Sequence, residues 1–309
     1  MLAGCASVLE EDGALAIAPY KIEPSGRIVV DVRVDGQGPF TFALDTGASI
    51  SVVFDELRND LGLEVVPGKT LLIHGFVTSG KFPYVRIGRL ELGHEVWADP
   101  KIAALPGDTD AGASIDGILG VDFLRRYAVG FSTRDRVIRL YPPDLVADRM
   151  YRGWSSIPLE PEYFGASGAA LYLFEIDIGS RRIPAVFDLG AGLNLINWAA
   201  ARSIGVDPAA TRKKDVLAGA IESMHITARV RIDEVTTGRV RWRNEEFMIA
   251  DPEVFTTLMG DENPYAILGA GLFTQRDFII DFQRNRLLVK FAMDEVDTSV
   301  GEDSESKAR

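Results

Sequence analysis

An internal repeat constrains the fold of this 309-residue chain more than any other feature of its sequence. The segment FALDTGA, residues 42–48, returns as AVFDLGA, residues 185–191, and both continue into further apolar sequence. The triplet Ile-Leu-Gly at residues 118–120 returns at residues 267–269. The copies run in the same order, 143 positions apart at the aspartates (45 to 188) and 149 apart at the triplets (118 to 267). Such a repeat predicts two structural units of the same topology.

Each copy contains two predicted strands that lead into an aspartate. The first pair is IVVDVRVDGQGPFTFALD, which ends at Asp45, and the second is ALYLFEIDIGSRRIPAVFD, which ends at Asp188. In both, apolar and polar residues alternate along the strand, and the turn between the strands contains a glycine. Downstream, VGFSTRDRVIRLY and IIDFQRNRLLVKF each predict a strand, a polar turn and a strand. Few helices are expected; the best candidates follow each Ile-Leu-Gly triplet and lie in NWAAARSIG, residues 197–205.

The two aspartate loops resemble the active-site loops of aspartic proteases, the clan of pepsin and the retropepsins. The resemblance extends over almost the whole chain. It implies an all-β, bilobal fold of two retropepsin-like barrel lobes, related by a pseudo-twofold axis with a cleft between them. The predicted order is an N-terminal lipobox and tether (1–24), a first lobe (25–143), a linker (144–167), a second lobe (168–292) and a disordered acidic tail (293–309).

The resemblance implies hydrolysis of peptide bonds by a water molecule held between Asp45 and Asp188. One carboxylate takes a proton from the attacking water, and the other, protonated, hydrogen-bonds to the scissile carbonyl. Two like charges in contact do not both ionise cheaply, so such a pair shares one proton. The aspartic-protease pair is itself the usual example of this effect. The expected partner is a peptide or protein in extended conformation, and no metal or cofactor is implied.

The neighbours of the two aspartates have supporting roles in the resembled family. Thr46 is expected to hydrogen-bond to the other lobe, whereas its counterpart Leu189 has no hydroxyl and departs from the usual Thr or Ser. The remaining supporting residues are Gly47, Ala48, Gly190 and Ala191 in the loops, with Gly120 and Gly269 on strands beneath them. Alanine at 48 and 191 matches the retropepsin form, which lacks a hydroxyl that favours the charged carboxylate. This predicts a mildly acidic to near-neutral pH optimum.

A flap that closes over substrate is expected between each aspartate and its Ile-Leu-Gly triplet. The first candidate runs from residue 71 to 80 and includes His74, Gly75 and Phe76. The second is VLAGA, residues 216–220. Two ordinary surface hairpins are the alternative interpretation.

Other interpretations of the aspartates stay open at this point. Asp45 is compatible with a simple turn residue, and Asp188 with a loop that survives only as scaffold. A catalytically weak or inactive pseudoprotease would bind extended peptides in the inter-lobe cleft by strand addition. In a third arrangement the first lobes of two chains pair and Asp188 is not used, although we expect a monomer.

Composition and motifs exclude several other classes. The formal net charge of −12 argues against a nucleic-acid partner. The motifs G-x-S-x-G and G-x-x-x-x-G-K-[ST] are absent, which removes the commonest serine-hydrolase and NTPase interpretations. The single cysteine, Cys5, excludes a disulfide within the chain.

The position of Cys5 is informative. Leu2-Ala3-Gly4-Cys5 resembles the lipobox of bacterial lipoproteins, in which the cysteine becomes the acylated N-terminus. This predicts a membrane tether through lipidated Cys5 and a periplasmic lipoprotein of the bacterial cell envelope. The charged and apolar segment that precedes a lipobox is not in this sequence, so a chance match is the alternative.

Overall fold

The computed structural model describes residues 13–74, 79–107, 115–144, 151, 153–164, 169–207, 215–218, 223–226, 228–251 and 263–290. Strands make up 58% of the structure and helices 10%, which confirms the predicted all-β class. Among the described residues, no helix is both long and apolar enough to span a membrane.

The first lobe consists mainly of short strands. In chain order they are β1 (Ala16–Ile22), β2 (Ile28–Val34), β3 (Gln37–Leu44), β4 (Val52–Phe54), β5 (Val65–His74), β6 (Ser79–Arg86), β7 (Arg89–Leu92), β8 (Glu95–Ala98), β9 (Lys101–Leu105), β10 (Gly117–Leu119), β11 (Ala128–Ser132) and β12 (Val137–Tyr141). Helix α1 (Asp55–Asp60) follows β4, and helix α2 (Val121–Leu124) follows β10.

The second lobe repeats this plan and contains a closed barrel. Its strands are β13 (Trp154–Pro158), β14 (Glu160–Phe164), β15 (Ala169–Ile178), β16 (Arg181–Asp188), β17 (Asn194–Ile196), β18 (Asp215–Ala218), β19 (Ser223–Ile226), β20 (Ala228–Thr237), β21 (Val240–Ile249), β22 (Ala266–Gly269), β23 (Phe278–Asp281) and β24 (Arg286–Lys290). Its helices are α3 (Trp198–Ser203) and α4 (Ala270–Phe273). Strands β15, β16, β22, β17, β21 and β20 close the barrel when β20 pairs with β15.

The sequence repeat is also a repeat of strand register. Strand β10 pairs in parallel with β3, where Ile118 lies opposite Ala43, and β22 pairs in parallel with β16, where Ile267 lies opposite Val186. Each of these strands also pairs, antiparallel, with the strand that follows its aspartate loop, β4 or β17. The Ile-Leu-Gly strand therefore lies between the strand that enters the aspartate loop and the strand that leaves it, in both lobes.

A shared antiparallel sheet joins the two lobes. Its order is β1-β12-β11-β23-β24-β13, with the first three strands from one lobe and the last three from the other. The lobes meet where β11 pairs with β23, and there the rings of Phe131 and Phe278 stack with centroids 4.3 Å apart. The symmetric strand order places the pseudo-twofold axis between β11 and β23, which supports the predicted bilobal fold.

Two of the segments predicted to lie outside the lobes contain strands. The predicted tether, residues 1–24, contains β1, which pairs with β12 and β2 and buries alternate side chains from Ala16 to Tyr20. The predicted linker, residues 144–167, contains β13 and β14, and β13 is the outermost strand of the shared sheet. The alternation of buried and exposed side chains in these segments is not obvious from the sequence, because alanine, serine and proline occupy several of the positions. Cys5 and the predicted tail, residues 293–309, lie outside the described residues.

The three predicted helices are confirmed as α2, α3 and α4. Helix α1 was not predicted, although it stands 143 positions before α3 and is therefore its counterpart in the repeat. Its sequence, DELRND, is polar and buries only Leu57, so it has little apolar periodicity of its own.

Candidate active site

The two aspartates of the repeat lie face to face where the lobes meet. Asp45 follows β3, Asp188 ends β16, and their carboxyl groups are within hydrogen-bonding reach of each other. A methyl group built on Gly47 would lie 2.8 Å from the Asp188 carboxyl oxygens, and one built on Gly190 would overlap the Asp45 carboxyl. Glycine is required at both positions because each backbone packs directly against the opposing carboxyl group.

Each aspartate also binds the backbone of its own loop. The Asp45 carboxylate accepts hydrogen bonds from the N–H groups of Gly47 at 2.7 Å and Ala48 at 2.9 Å. The Asp188 carboxylate accepts one from the N–H of Gly190 at 2.8 Å. The side chain and the turn therefore hold each other in one conformation, as in other turns that are stabilised by an aspartate.

Glycine 120 and glycine 269 support the loops from below. The N–H of Val121 donates to the Ala48 carbonyl at 2.8 Å, and the N–H of Ala270 donates to the Ala191 carbonyl at 2.9 Å. A methyl group built on Gly120 would lie 2.6 Å from that Ala48 carbonyl oxygen, and Gly269 is equally crowded by its loop. The expected crossing beneath each aspartate loop is therefore present in the structure.

Further polar residues, which are not among the predicted site residues, brace the loops. The N–H of Gly120 donates to the Ser51 hydroxyl at 2.9 Å, and the N–H of Gly269 donates to the Asn194 side-chain oxygen at 3.1 Å. The Ser51 hydroxyl in turn donates to the Asp122 carboxylate at 2.6 Å. Ser51 and Asn194 are counterparts in the repeat, and each is a polar residue within an apolar run. That pattern is the signal that would have identified them.

Thr46 links the two loops. Its side chain is fully buried, and its hydroxyl donates to the Phe187 carbonyl at 2.7 Å and accepts from the N–H of Leu189 at 2.9 Å. The side chain of Leu189 is also fully buried, and it packs into the main apolar core. The loops are therefore joined by hydrogen bonds from the first lobe and by apolar packing from the second.

Burial shifts the proton affinities of both acids in the same direction. Burial raises the pKa of Asp45, while the Asp188 side chain, the N–H groups of its own loop and the charge of Arg27 act in the opposite direction. Burial and the nearby charge of Asp45 together hold the pKa of Asp188 well above its usual range. The pKa of both acids is therefore raised by burial, and the two carboxyl groups are too close to ionise independently.

Comparison with known families agrees with this arrangement. The family model for aspartyl proteases matches the chain twice, over residues 30–123 and 174–272. The chain belongs to the aspartyl protease family. Each match includes one aspartate loop and the Ile-Leu-Gly strand beneath it, so the predicted tandem of two lobes is confirmed. No curated protein matches the sequence closely enough to be reported as a relative.

Each candidate flap is flanked by a pair of antiparallel strands. Strands β5 and β6 pair antiparallel, as do β18 and β19. Gly75 and Phe76, together with the side chain of His74, lie outside the described residues, as does the tip of the second hairpin at 219–222. The role of either hairpin as a flap stays a prediction.

Within the described part of the chain, no three or more His, Cys, Asp or Glu side chains are grouped so as to hold a metal ion. The expectation that the protein needs no metal or cofactor stays a prediction.

Proposed function

We propose that the protein is an aspartic endopeptidase in which Asp45 and Asp188 activate one water molecule. The observation that supports this most directly is the contact between two buried carboxyl groups, each held by N–H groups of its own loop. Two carboxyl groups in contact share one proton and so provide a base and an acid in the same site. Both loops also hold their carboxyl groups rigidly, as general acid–base catalysis requires.

The proposed reaction uses one ionised and one protonated carboxyl group, in two steps. Ionised Asp45 accepts a proton from the water as the water oxygen bonds to the carbonyl carbon. Protonated Asp188 donates its proton to the carbonyl oxygen, which gives a neutral tetrahedral diol. In the second step a proton passes from Asp45 to the amide nitrogen, the C–N bond breaks, and Asp188 recovers its proton from the diol. The products are a carboxylic acid and an amine.

A peptide-binding pseudoprotease is the second candidate function, and Leu189 is the observation that favours it. Because Leu189 has no hydroxyl, it does not return the hydrogen bonds that Thr46 makes to the opposite loop. A loosened pair of loops would retain an inter-lobe cleft for an extended peptide while catalysis is weakened.

Cleavage of a diverse peptide mixture between acid and neutral pH tests the proposal. Wild type is compared with Asp45→Asn, Asp188→Asn and the exposed control Asp233→Asn. We expect cleavage by wild type and by the control, and none by the other two variants. No cleavage by folded wild type would support the pseudoprotease.

The same variants distinguish the dimer model. If first lobes of two chains form the site, Asp188→Asn remains active and its activity depends on protein concentration. In the single-chain model, an equimolar mixture of Asp45→Asn and Asp188→Asn stays inactive, because neither chain contains a complete pair.

We propose further that Cys5 is lipidated and tethers the protein to a bacterial cell envelope on the periplasmic side. The lipobox-like sequence Leu2-Ala3-Gly4-Cys5 supports this proposal. Metabolic labelling with a fatty-acid analogue in a bacterial host tests it, with Cys5→Ser as the control. Equal labelling of the variant, or no labelling of wild type when the natural start of the gene is used, would contradict it.

A further inference from the structure

One turn of the first lobe packs against the loop that carries Asp188. The turn joins β1 to β2 over residues 23–27, and Gly192 lies four residues after Asp188. A methyl group built on Gly26 would lie 2.6 Å from the Gly192 carbonyl oxygen, and one built on Gly192 would overlap the Ser25 carbonyl group. The two backbones are therefore in direct contact, and no side chain fits between them.

This contact explains the glycine at position 192. The backbone of Gly192 does not have the positive φ that favours glycine. The repeat offset of 143 places Ser49 at the corresponding position of the first loop, so a loop of this kind accepts a side chain there. What excludes a side chain at position 192 is the Ser25 carbonyl group of the opposite lobe. The difference between the two loops at this position therefore follows from the contact between the lobes.

The turn is braced by hydrogen bonds within itself. The N–H of Gly26 donates to the Glu23 carbonyl at 2.8 Å, and the N–H of Glu23 donates to the Arg27 carbonyl at 3.1 Å. The Ser25 hydroxyl donates to the Glu23 carboxylate at 2.7 Å. The Arg27 side chain donates to the same carboxylate and, at 3.2 Å, to the Ser25 hydroxyl. A turn with this many internal bonds should move as a unit rather than deform.

Gly192, in contrast, is held by packing. In the described part of the chain, its own N–H and C=O groups make no hydrogen bond. The loop therefore has two points of contact with the first lobe, which are the Thr46 hydroxyl at Leu189 and the turn at Gly192. Gly190, whose backbone packs against the Asp45 carboxyl group, lies between these two points.

We propose that Ser25 and Gly26 are positioning residues for Asp188, and that their contact with Gly192 sets the distance between the Asp188 loop and Asp45. The inference rests on the proposed endopeptidase function, which requires the two carboxyl groups to be in contact. It predicts that displacement of the loop at Gly192 lowers turnover more than it lowers the affinity for substrate, because the contact acts on the geometry of the acids.

Gly192→Ala tests the proposal, with Gly271→Ala as the matched control. The methyl group at position 192 would overlap the Ser25 carbonyl group. A methyl group at position 271 approaches the Gly192 carbonyl oxygen at 3.9 Å, which is an ordinary contact distance. Because the turn should move as a unit, we expect Gly192→Ala to displace the loop and Gly271→Ala to leave it in place.

Amide hydrogen exchange, measured by NMR, reports on the loop without the need for activity. In Gly192→Ala the N–H groups of Leu189 and Gly190, whose hydrogen bonds hold the second loop, should exchange about tenfold faster or more. The N–H groups of Gly47 and Ala48, whose hydrogen bonds hold the first loop, should exchange as in wild type. A substitution that only lowered the global stability would not distinguish the two loops.

Peptide cleavage by the folded variants gives the second readout. We expect the kcat of Gly192→Ala to fall by about a hundredfold, as for a displacement of a catalytic group by about 1 Å, with little change in KM. Gly271→Ala should match wild type in both readouts. If the contact only stabilised the fold, the kcat of the folded variant would be unchanged.

Unchanged exchange at Leu189 and Gly190, or an unchanged kcat in Gly192→Ala when wild type cleaves peptides, would overturn the proposal. If Gly192→Ala does not fold, Ser25→Ala decides, because it removes the hydroxyl that braces the turn and introduces no clash. Faster exchange at the same two N–H groups then supports the proposal, and unchanged exchange refutes it. Faster exchange in a protein whose wild type cleaves no peptide would refute the endopeptidase function and leave the positioning of the Asp188 loop by the turn intact.

Discussion

Thr46→Val isolates the hydrogen bonds that link the two aspartate loops. Valine has the shape of threonine and keeps the apolar contacts, but it has no hydroxyl. The substitution therefore leaves the Phe187 carbonyl and the Leu189 N–H without the partner that Thr46 provides, in a position with no exposure to solvent. A buried backbone group without its partner costs about 1–3 kcal/mol. A carbonyl tolerates this better than an N–H does, so we expect a total loss of about 2–4 kcal/mol.

Thr46→Ser is the matched control, because serine keeps the hydroxyl and removes one buried methyl group. That loss costs about 1 kcal/mol. The valine variant should therefore be less stable than the serine variant by at least about 1 kcal/mol. A difference of this size is appreciable beside a typical total stability of about 5–15 kcal/mol. The midpoints of the urea unfolding transitions give this difference in stability, provided that the slope of the unfolding free energy against urea concentration is the same in both variants.

Peptide cleavage by the folded variants gives a second readout. The bond to Phe187 lies one residue before Asp188, so its loss should change the geometry of the carboxyl pair as well as the stability. Displacement of a catalytic group by about 1 Å reduces turnover by roughly a hundredfold, and we expect a lower kcat for valine than for serine. If valine is as stable and as active as serine, the hydroxyl link does not hold the loops together and the argument is wrong.

Other parts of the site give predictions of the same kind. Leu189→Thr should lower the free energy of unfolding by about 2 kcal/mol in urea, because loss of a fully buried leucine outweighs one new hydrogen bond of about 1 kcal/mol; an unchanged or higher stability would contradict this. Gly190→Ala should reduce peptide cleavage about a hundredfold, because its methyl group would overlap Asp45. Gly271→Ala, whose nearest contact is at 3.9 Å, should retain cleavage. Asp188→Asn should gain stability relative to wild type as the pH rises, measured by urea unfolding at pH 4 and pH 8. Because the pKa of Asp188 is raised, the folded state binds the proton more tightly than the unfolded state does. The stability that wild type gains from this proton is complete below the ordinary pKa of 3.8, and it is lost as the pH rises through the raised pKa. A difference that does not change with pH would refute that assignment.

The parts of the site that the sequence predicts are those with a local signature in both copies. An aspartate that follows a buried strand and precedes a glycine is recognisable in seven residues, and its recurrence at Asp188 predicts the pairing of the loops. The Ile-Leu-Gly strands have equally local signatures, and their parallel pairing with the entering strands follows the offsets of the repeat. A second copy therefore converts weak local motifs into a prediction of tertiary structure.

The parts that the sequence does not predict depend on partners far away in the chain. Strand β1 pairs with β12, and β13 pairs with β24, in each case more than one hundred residues later. Periodicity within one segment carries no information about such a partner. The close approach of Gly26 in the first lobe to the Gly192 carbonyl in the second likewise depends on how the lobes dock.

The differences between the two copies are as informative as their similarity. The first loop carries the bridging hydroxyl of Thr46 and is braced through Ser51 by the Asp122 carboxylate. The corresponding positions in the second lobe are Leu189, Asn194 and Gly271, none of which carries a charge. Two carboxyl groups in identical surroundings would bind a shared proton with equal affinity. The polar first loop and the apolar second loop remove that equivalence, because a polar environment favours the ionised acid and an apolar one favours the protonated acid. Loss of the hydroxyl at residue 189 is therefore consistent with division of roles between the acids as well as with loss of function.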